Sequence, residues 1–123
     1  MTFRILVADD QAEQLNAVVH LFIDSGYTIE VASSGSDALN MLLNNQFDLS
    51  LLDMHMPGLT GLEVIDQLKQ NGHHVPSILM TGQPSRDIEL AAIELGVLTM
   101  LRKPIPAEVL RLTVHNFFSQ NHG

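Results

Sequence analysis

The sequence predicts an open, doubly wound α/β fold in which helices cover both faces of a five-stranded parallel sheet. Five short apolar runs alternate along the chain with five segments whose apolar residues recur at helical spacing. Strands that alternate with helices of this length form βαβ crossovers, and such crossovers build parallel sheets. Because the chain has 123 residues, the usual size of one compact domain, we expect a single domain over residues 1–123.

The predicted strands are short and apolar. Near-continuous apolar runs are typical of strands that are buried on both faces of a parallel sheet. The second run alternates and is β-branched, which suits a strand nearer the sheet edge. The five strands are predicted over residues 3–8, 27–32, 47–53, 77–81 and 97–102.

Each helix is predicted from apolar residues at helical spacing and from residues that begin or end helices. Gly72 and Gly96 mark helix ends, Ser36 and Asp37 are expected to cap the second helix, and the last helix is expected to begin near Pro106. The apolar positions of the five helices are Leu15, Val18, Val19 and Phe22; Ala38, Leu39, Leu42 and Leu43; Leu62, Ile65 and Leu68; Ile88, Ala91, Ala92 and Leu95; and Leu110, Val114 and Phe117.

Composition limits the classes of function. Fourteen acidic residues against six basic ones give a formal net charge of −8, which argues against a nucleic-acid surface and favours basic partners or a bound cation. The chain has no cysteine, which excludes disulfides and thiolate chemistry. No apolar run approaches the ~20 residues of a membrane span, and the N-terminal apolar run is too short for a signal peptide. We therefore expect a cytoplasmic protein without membrane contacts.

Polar side chains follow four of the predicted strands at their carboxyl ends. Asp9 and Asp10 follow the first strand, Asp53 ends the third, Thr81 ends the fourth, and Lys103 follows the fifth. In open α/β sheets the ligand site lies beyond the carboxyl ends of the strands, where the strand order changes direction. We therefore expect three carboxylates, one hydroxyl and one ammonium group to meet in one crevice.

Three carboxylates at one site call for a compensating positive charge. Two unit charges ~4 Å apart repel each other by about 4 kcal/mol at an effective dielectric constant of 20. Protonation of one carboxyl group relieves this repulsion, and so does a divalent cation. Mg²⁺ prefers oxygen ligands and takes one or two carboxylates together with water and phosphate oxygens. The sequence therefore predicts Mg²⁺ held by Asp9 and Asp10 beside Asp53, with Mn²⁺ able to replace it.

Each of these polar residues also has an ordinary structural interpretation when it is taken alone. Asp10 is a candidate N-cap of the first helix, Asp53 and Thr81 are candidate turn residues, and Lys103 is a candidate surface residue at a strand end. The convergence of all of them on one edge of the predicted sheet favours the functional interpretation.

Four segments resemble the receiver domain of bacterial two-component response regulators. They are VADD (7–10), LLDMHMPGLTGLEVI (51–65), LMTG (79–82) and LRKPI (101–105), and the resemblance covers the whole chain. The resemblance implies a flavodoxin-like sheet with the strand order 2-1-3-4-5. It also implies a signalling phosphoacceptor, which is not an enzyme but catalyses its own phosphorylation and dephosphorylation.

The resemblance implies a role for each acidic residue of the crevice. Asp53 is expected to attack the phosphorus of a phosphohistidine on a sensor histidine kinase or a phosphotransfer protein, and so to form an aspartyl phosphate. Asp9 and Asp10 are expected to bind Mg²⁺ together with Asp53 and the backbone carbonyl of His55. The His55 side chain is unusual at its position, and we predict that it affects the access of water to the phosphoryl group.

Further roles are implied for the residues that follow the fourth and fifth strands. Lys103 is expected to contact a phosphoryl oxygen, Thr81 to move its hydroxyl onto the phosphoryl group, and the Lys103–Pro104 peptide to be cis. Many receivers carry Tyr or Phe three residues before the lysine, where this chain has Met100. We predict that Met100 packs inward in both signalling states, so that switching is weaker or reaches the surface by a different route.

Three other interpretations stay open. A degenerate receiver would keep the fold and act only as an interaction module. A haloacid-dehalogenase-like phosphatase would need a second acid two residues after its nucleophile, where this chain has His55 after Asp53. A flavin or nucleotide module would need a glycine- or serine-rich phosphate cradle after the first strand, where Asp9 and Asp10 stand.

The resemblance also implies a downstream target or output domain, and it allows a phosphorylation-dependent homodimer. In this fold the surface of the fourth helix, fifth strand and last helix often binds partners. Because adjacent residues of a helix point in different directions, we expect either Phe117 or Phe118 to be exposed there. The sequence does not decide between a protein that acts alone and a piece of a longer regulator or hybrid kinase.

Overall fold

A computed structural model describes residues 2–122, apart from the side chains of Asn121 and His122. Met1 and Gly123, the ends of the predicted domain, lie outside the described residues. No helix in the described part of the chain is long and apolar enough to cross a membrane. The strands are β1 (Arg4–Ala8), β2 (Thr28–Ala32), β3 (Leu49–Asp53), β4 (Ser77–Thr81) and β5 (Thr99–Arg102). The helices are α1 (Ala12–Leu21), α2 (Gly35–Asn44), α3 (Gly61–Gln70), α4 (Arg86–Glu94) and α5 (Ala107–His122).

The strands form one parallel sheet in the order β2-β1-β3-β4-β5, which confirms the predicted fold class. The strand order changes direction at β1, because β2 is added on one side of β1 and β3 on the other. Ala8 pairs with Leu52 and Asp53 pairs with Met80, so the carboxyl ends of β1, β3 and β4 lie side by side. This edge of the sheet is therefore the place where such folds bind ligands.

Two apolar layers hold the sheet between its helices. On one face, Leu6, Leu52 and Leu79 pack against α2, α3 and α4. On the other face, Ile5 and Leu51 pack against α1 and α5. Burial of one large aliphatic side chain contributes roughly 1.5–3 kcal/mol, so the two layers fix the strand ends firmly.

The start of α2 differs from the prediction, which placed Ser36 and Asp37 at the cap. The N-cap is Ser34, whose backbone is extended and whose hydroxyl oxygen accepts a hydrogen bond from the Asp37 N–H over 3.1 Å. Ser36 and Asp37 already belong to the first helical turn. Because the helix begins earlier, Gly35 becomes its first residue.

The aromatic residues of α5 also differ from the prediction. Leu110, Val114 and Phe118 are buried on α5, and Phe117, which the sequence also placed on this side, packs against the same apolar layer. Phe118 stacks on Phe3 with 4.2 Å between ring centroids. Phe117 is half-buried and packs edge-on against Phe118, so the expectation that one of the two is exposed is wrong.

Candidate functional site

Three carboxylates meet at the carboxyl edge of the sheet. Carboxylate oxygens of Asp9, Asp10 and Asp53 all lie within 4.8 Å of one another. Asp53 is the last residue of β3, and Asp9 and Asp10 directly follow β1. Asp9 and Asp53 are buried while Asp10 is exposed, so the cluster is open to solvent on one side.

Lys103 reaches two of these carboxylates from the segment that follows β5. Its Nζ lies 2.7 Å from Asp9 Oδ2 and 3.4 Å from Asp53 Oδ1. Its backbone N–H donates a hydrogen bond to the Thr81 carbonyl oxygen over 2.8 Å. The peptide between Lys103 and Pro104 is cis, as expected. One ammonium group thus contacts two of the three carboxylates.

The charges around Asp53 do not balance. Burial raises the pKa of Asp53 above its ordinary value, and the negative charge of Asp9 raises it further. Lys103 and a hydrogen bond from the His55 backbone lower this pKa, but the raising influences prevail. Burial disfavours the charged form of Lys103, yet its hydrogen bond to Asp9 and the charges of Asp53 and Asp9 raise its pKa. Lys103 therefore stays protonated, and the excess negative charge remains on the carboxylates.

Asp9 is held by hydrogen bonds at both carboxylate oxygens. Oδ1 accepts from the backbone N–H of Gln11 over 3.0 Å, and Oδ2 accepts from Lys103. The backbone N–H of Asp9 donates to the carbonyl of Ala32 on β2. Gln11 occupies the N-cap position of α1, so the N-cap interpretation of Asp10 is wrong. The side chain of Asp10 instead belongs to the acidic cluster.

Thr81 ends β4 and is fully buried. Its Oγ1 accepts a hydrogen bond from the backbone N–H of Gln83 over 3.1 Å. Thr81 therefore does form the local turn contact that its ordinary structural interpretation predicts. The bond uses an acceptor lone pair and not the hydroxyl hydrogen, which Thr81 can still donate to a negatively charged oxygen.

The carboxylate oxygens of the acidic cluster suit a hard divalent cation as ligands. Asp9, Asp10 and Asp53 supply oxygen ligands in mutual reach, and oxygen ligands suit Mg²⁺ and related ions. Lys103 compensates one of the three negative charges, and a divalent cation would balance the two that are left. The cluster can therefore bind a metal ion.

Comparison with known proteins decides the family. The family model described as the response regulator receiver domain matches residues 5–115. The chain belongs to this family. It is 36% identical over 110 residues to the response regulator MprA of a Mycobacterium species, which covers 89% of this chain and 48% of that protein. It is 37% identical over 113 residues to a probable cyclic di-GMP phosphodiesterase of Vibrio cholerae, which covers 90% of this chain and 25% of that protein.

The receiver spans between a quarter and about half of the length of these curated relatives. Among solved structures, the signal receiver domain of an HD domain-containing protein from Pseudomonas fluorescens superposes with a TM-score of 0.90 at 26% identity, covering 99% of this chain and 98% of that chain. Receiver domains are signalling domains of two-component systems and interact with histidine kinases or phosphotransfer proteins. Membership of this family does not favour the phosphatase or the nucleotide-binding interpretation.

His55 and Met100 differ in their exposure to solvent. His55 is exposed in the loop that follows β3. Met100 pairs with Leu79 on β4 and packs, half-buried, against the layer under α2, α3 and α4. Met100 thus packs inward in this structure, and its position after phosphorylation stays a prediction.

The glycine at the start of α3 has a role that the sequence patterns did not indicate. Gly61 donates its N–H to the Met54 carbonyl over 3.0 Å, and a Cβ at this position would lie 2.7 Å from the backbone oxygen of Asp53. The pattern Thr60-x-x-Glu63 before an apolar run is the signature of a capping box, and the structure contains that box. This pattern was the signal that could have located the helix start beside Asp53.

Proposed function

We propose that residues 1–123 form a receiver domain that accepts a phosphoryl group on Asp53 in an Mg²⁺-dependent reaction. The donor is the phosphohistidine of a sensor histidine kinase or a phosphotransfer protein. The observation that carries this proposal is the group formed by Asp9, Asp10, Asp53 and Lys103 at the switch point of the sheet. An Asp53 oxygen forms the bond to phosphorus while the P–N bond of the donor breaks, and the imidazole leaves with the electron pair.

Asp53 and Lys103 carry the part of this reaction that the protein's own side chains perform. The attacking carboxylate must be ionised, and the nearby ammonium group of Lys103 favours that form. Phosphoryl transfer depends mainly on positioning and on neutralisation of charge. Lys103 lies within 3.4 Å of Asp53 Oδ1, so a phosphoryl group on Asp53 brings its oxygens within reach of Nζ.

Asp9 and Asp10, with Asp53 and the backbone carbonyl of His55, are proposed to hold the Mg²⁺ ion. When bound, the ion neutralises charge on the transferring oxygens. The hydrogen bonds at both oxygens of Asp9 fix its carboxylate before the ion arrives, whereas exposed Asp10 leaves the approach open. We expect Mn²⁺ to support the same reaction, because it accepts similar oxygen ligands.

Thr81 links the transferred group to the surface of the receiver. The added phosphoryl group carries roughly −1.5 to −2 charges and offers new acceptor oxygens. Thr81 donates its hydroxyl hydrogen to one of them. Because Gln83 is hydrogen-bonded to the same hydroxyl, movement of the Thr81 side chain pulls on the loop that precedes α4. The local charge change is thereby converted into a change of packing near α4.

The proposed partner surface consists of α4, β5 and α5. Of the eight exposed large apolar side chains among the described residues, five lie on α4, on α5 or just before β5. These five are Leu90, Ile93, Leu98, Val109 and Leu112. We propose that a downstream target, an output domain or a second phosphorylated copy binds here, and that the receiver acts in the cytoplasm. Met100 on β5, which stays packed inward in both states, weakens the effect of Thr81 on this surface.

Phosphorylation by a small donor tests the proposal. The protein is incubated with acetyl phosphate and Mg²⁺, and intact-mass spectrometry counts the phosphoryl groups. We expect one adduct, which Asp53→Asn and chelation of Mg²⁺ both abolish. Asp48→Asn is the matched control, because Asp48 precedes the opposite end of the same strand and accepts a hydrogen bond from the Arg4 backbone. It should keep the adduct.

Absence of an adduct on a folded protein that still binds Mg²⁺ would contradict phosphorylation by small donors. A transfer assay with a phosphorylated kinase then separates a receiver that selects its donor from a degenerate receiver. An adduct that survives Asp53→Asn would overturn the assignment of the phosphoacceptor.

A further inference from the structure

The amino end of α2 contacts the loop that follows Asp53, which we name the β3–α3 loop (residues 54–60). The N–H of Gly35 donates a hydrogen bond to the carbonyl oxygen of Pro57 over 3.1 Å. A Cβ on Gly35 would lie 1.9 Å from the carbonyl oxygen of Leu59 and 2.7 Å from its carbonyl carbon. Gly35 does not have a positive φ, so space and not backbone conformation requires glycine here.

The same loop is fixed at two further points. A Cβ on Gly58, whose φ is +83°, would lie 2.4 Å from the hydroxyl oxygen of Ser36 on α2. At the other end of the loop, a Cβ on Gly61 would lie 2.7 Å from the backbone oxygen of Asp53. His55 lies in the chain between Asp53, whose backbone oxygen Gly61 faces, and Pro57, whose carbonyl oxygen accepts the hydrogen bond from Gly35. A hydrogen bond from the His55 backbone lowers the pKa of Asp53. The backbone around His55 is therefore held between α2 and the start of α3.

We propose that Gly35 is a positioning residue for the metal and phosphoacceptor site, although it contributes no atom to that site. The inference rests on the proposed function. A side chain at position 35 must displace Leu59, because the contact is with backbone atoms that cannot rotate away. Because the Gly61 N–H is hydrogen-bonded to the Met54 carbonyl, both ends of the loop are anchored, and the displacement is taken up by residues 55–60, which include His55. The proposed carbonyl ligand and the donor to Asp53 then move together.

A pair of glycine substitutions separates this positioning role from a general loss of stability. Gly35→Ala introduces the clash with Leu59, whereas Gly72→Ala places a side chain where nothing lies within 4 Å of the Cβ but where φ is +74°. Both variants should be less stable in urea, the second through backbone strain alone. We expect Gly35→Ala to weaken Mg²⁺ binding by about 10-fold or more and to slow phosphorylation by acetyl phosphate. Gly72→Ala should leave both unchanged.

A measurement on the unmodified chain covers the case in which Gly35→Ala does not fold. Coupling between two parts of a protein is reciprocal, so Mg²⁺ must also affect the contact at Gly35. In amide NMR spectra, the Gly35 resonance should shift on Mg²⁺ addition with the same midpoint as that of His55, while Gly72 and Gly96 stay in place.

Two results would overturn the inference and leave the proposed function standing. They are a Gly35 amide that does not respond to Mg²⁺, and a folded Gly35→Ala variant with the Mg²⁺ affinity of the unmodified protein. If the unmodified protein neither binds Mg²⁺ nor accepts a phosphoryl group, the proposed function and this inference both fail.

Discussion

The two edges of the sheet bury polar groups in different ways. At the carboxyl edge, Asp9 and Asp53 share the single ammonium group of Lys103, and burial raises the pKa of Asp53. Toward the amino edge, the hydroxyl oxygens of Ser50 and Ser77 lie 2.6 Å apart inside the core. The serines satisfy each other and are neutral, whereas the carboxyl edge keeps negative charge that a ligand can use. Excess charge, and not burial of polar groups as such, distinguishes a functional edge from a structural one.

The glycines at the two edges differ in the space that surrounds them. Gly26, Gly72 and Gly96 follow helices at the amino edge, have φ between +74° and +85°, and leave open space within 4 Å of the point where a Cβ would lie. At the carboxyl edge, Gly35 and Gly61 have no positive φ but face backbone atoms closely, and Gly58, whose φ is positive, faces the Ser36 hydroxyl oxygen. The first group allows helices to end, and the second allows close packing around the acidic cluster. We therefore expect changes at the amino edge to affect stability and changes at the carboxyl edge to affect chemistry.

The largest effect is expected for Lys103→Met, which removes the only ammonium group that contacts the carboxylates in the described part of the chain. A positioned donor to developing charge typically accounts for a factor of about 100 or more in rate. Phosphorylation by acetyl phosphate should slow by about that factor. Arg102→Met is the matched control, because Arg102 precedes Lys103 but is exposed, and its rate should not change. Equal rates for both variants would show that Lys103 takes no part.

The next largest effect is expected at the amino edge, where it should concern stability alone. Ser77→Ala leaves the buried hydroxyl of Ser50 without its partner, which lowers the free energy of unfolding by about 1–3 kcal/mol. Removing both hydroxyls in one variant should lower it less. Urea unfolding measures these differences, and acetyl phosphate should phosphorylate both variants at the unmodified rate. A slower rate would contradict the separation of the two edges.

A smaller effect is expected from the raised pKa of Asp53 in the metal-free protein. Because folding favours the protonated form, the contribution of this group to stability is fully present below the unfolded pKa of about 3.9 and is lost as the pH rises through the folded pKa. Asp53→Asn should therefore stabilise the metal-free protein at pH 7. The gain should vanish near pH 4. Urea unfolding at several pH values with a chelator present checks this, and a gain that is independent of pH would contradict it.

The sequence predicted the sheet and the acidic cluster because both depend on regular patterns. Apolar periodicity defines the strands and helices, and parallel strands bring Asp9, Asp53 and Thr81 to one edge whatever the details of the loops. The contact of Gly35 with Leu59 joins two segments that are distant in the chain, and no local sequence pattern predicts it. Details that depend on three-dimensional contacts were therefore beyond the sequence.

The helix boundaries illustrate the same limit. Ser34 and Ser36 are both good caps by composition, and only the extended backbone at Ser34 decides between them. Likewise, the choice between Phe117 and Phe118 depends on how α5 is rotated against Phe3. Neighbouring positions of identical chemistry can be distinguished only by the packing of the whole fold.

The smallest effect is expected for the side chain of His55, which is exposed to solvent and lies two residues after Asp53 in the chain. If the imidazole restricts the access of water to the phosphoryl group, His55→Ala should shorten the lifetime of the phosphorylated form by about two- to threefold, or roughly 0.5 kcal/mol of barrier. Mg²⁺ binding should not change, because alanine keeps the backbone carbonyl and N–H. Intact-mass spectrometry after removal of acetyl phosphate follows the decay, with His73→Ala at the amino edge as the control. A lifetime equal to that of the control would leave only the backbone of His55 with a role in the site.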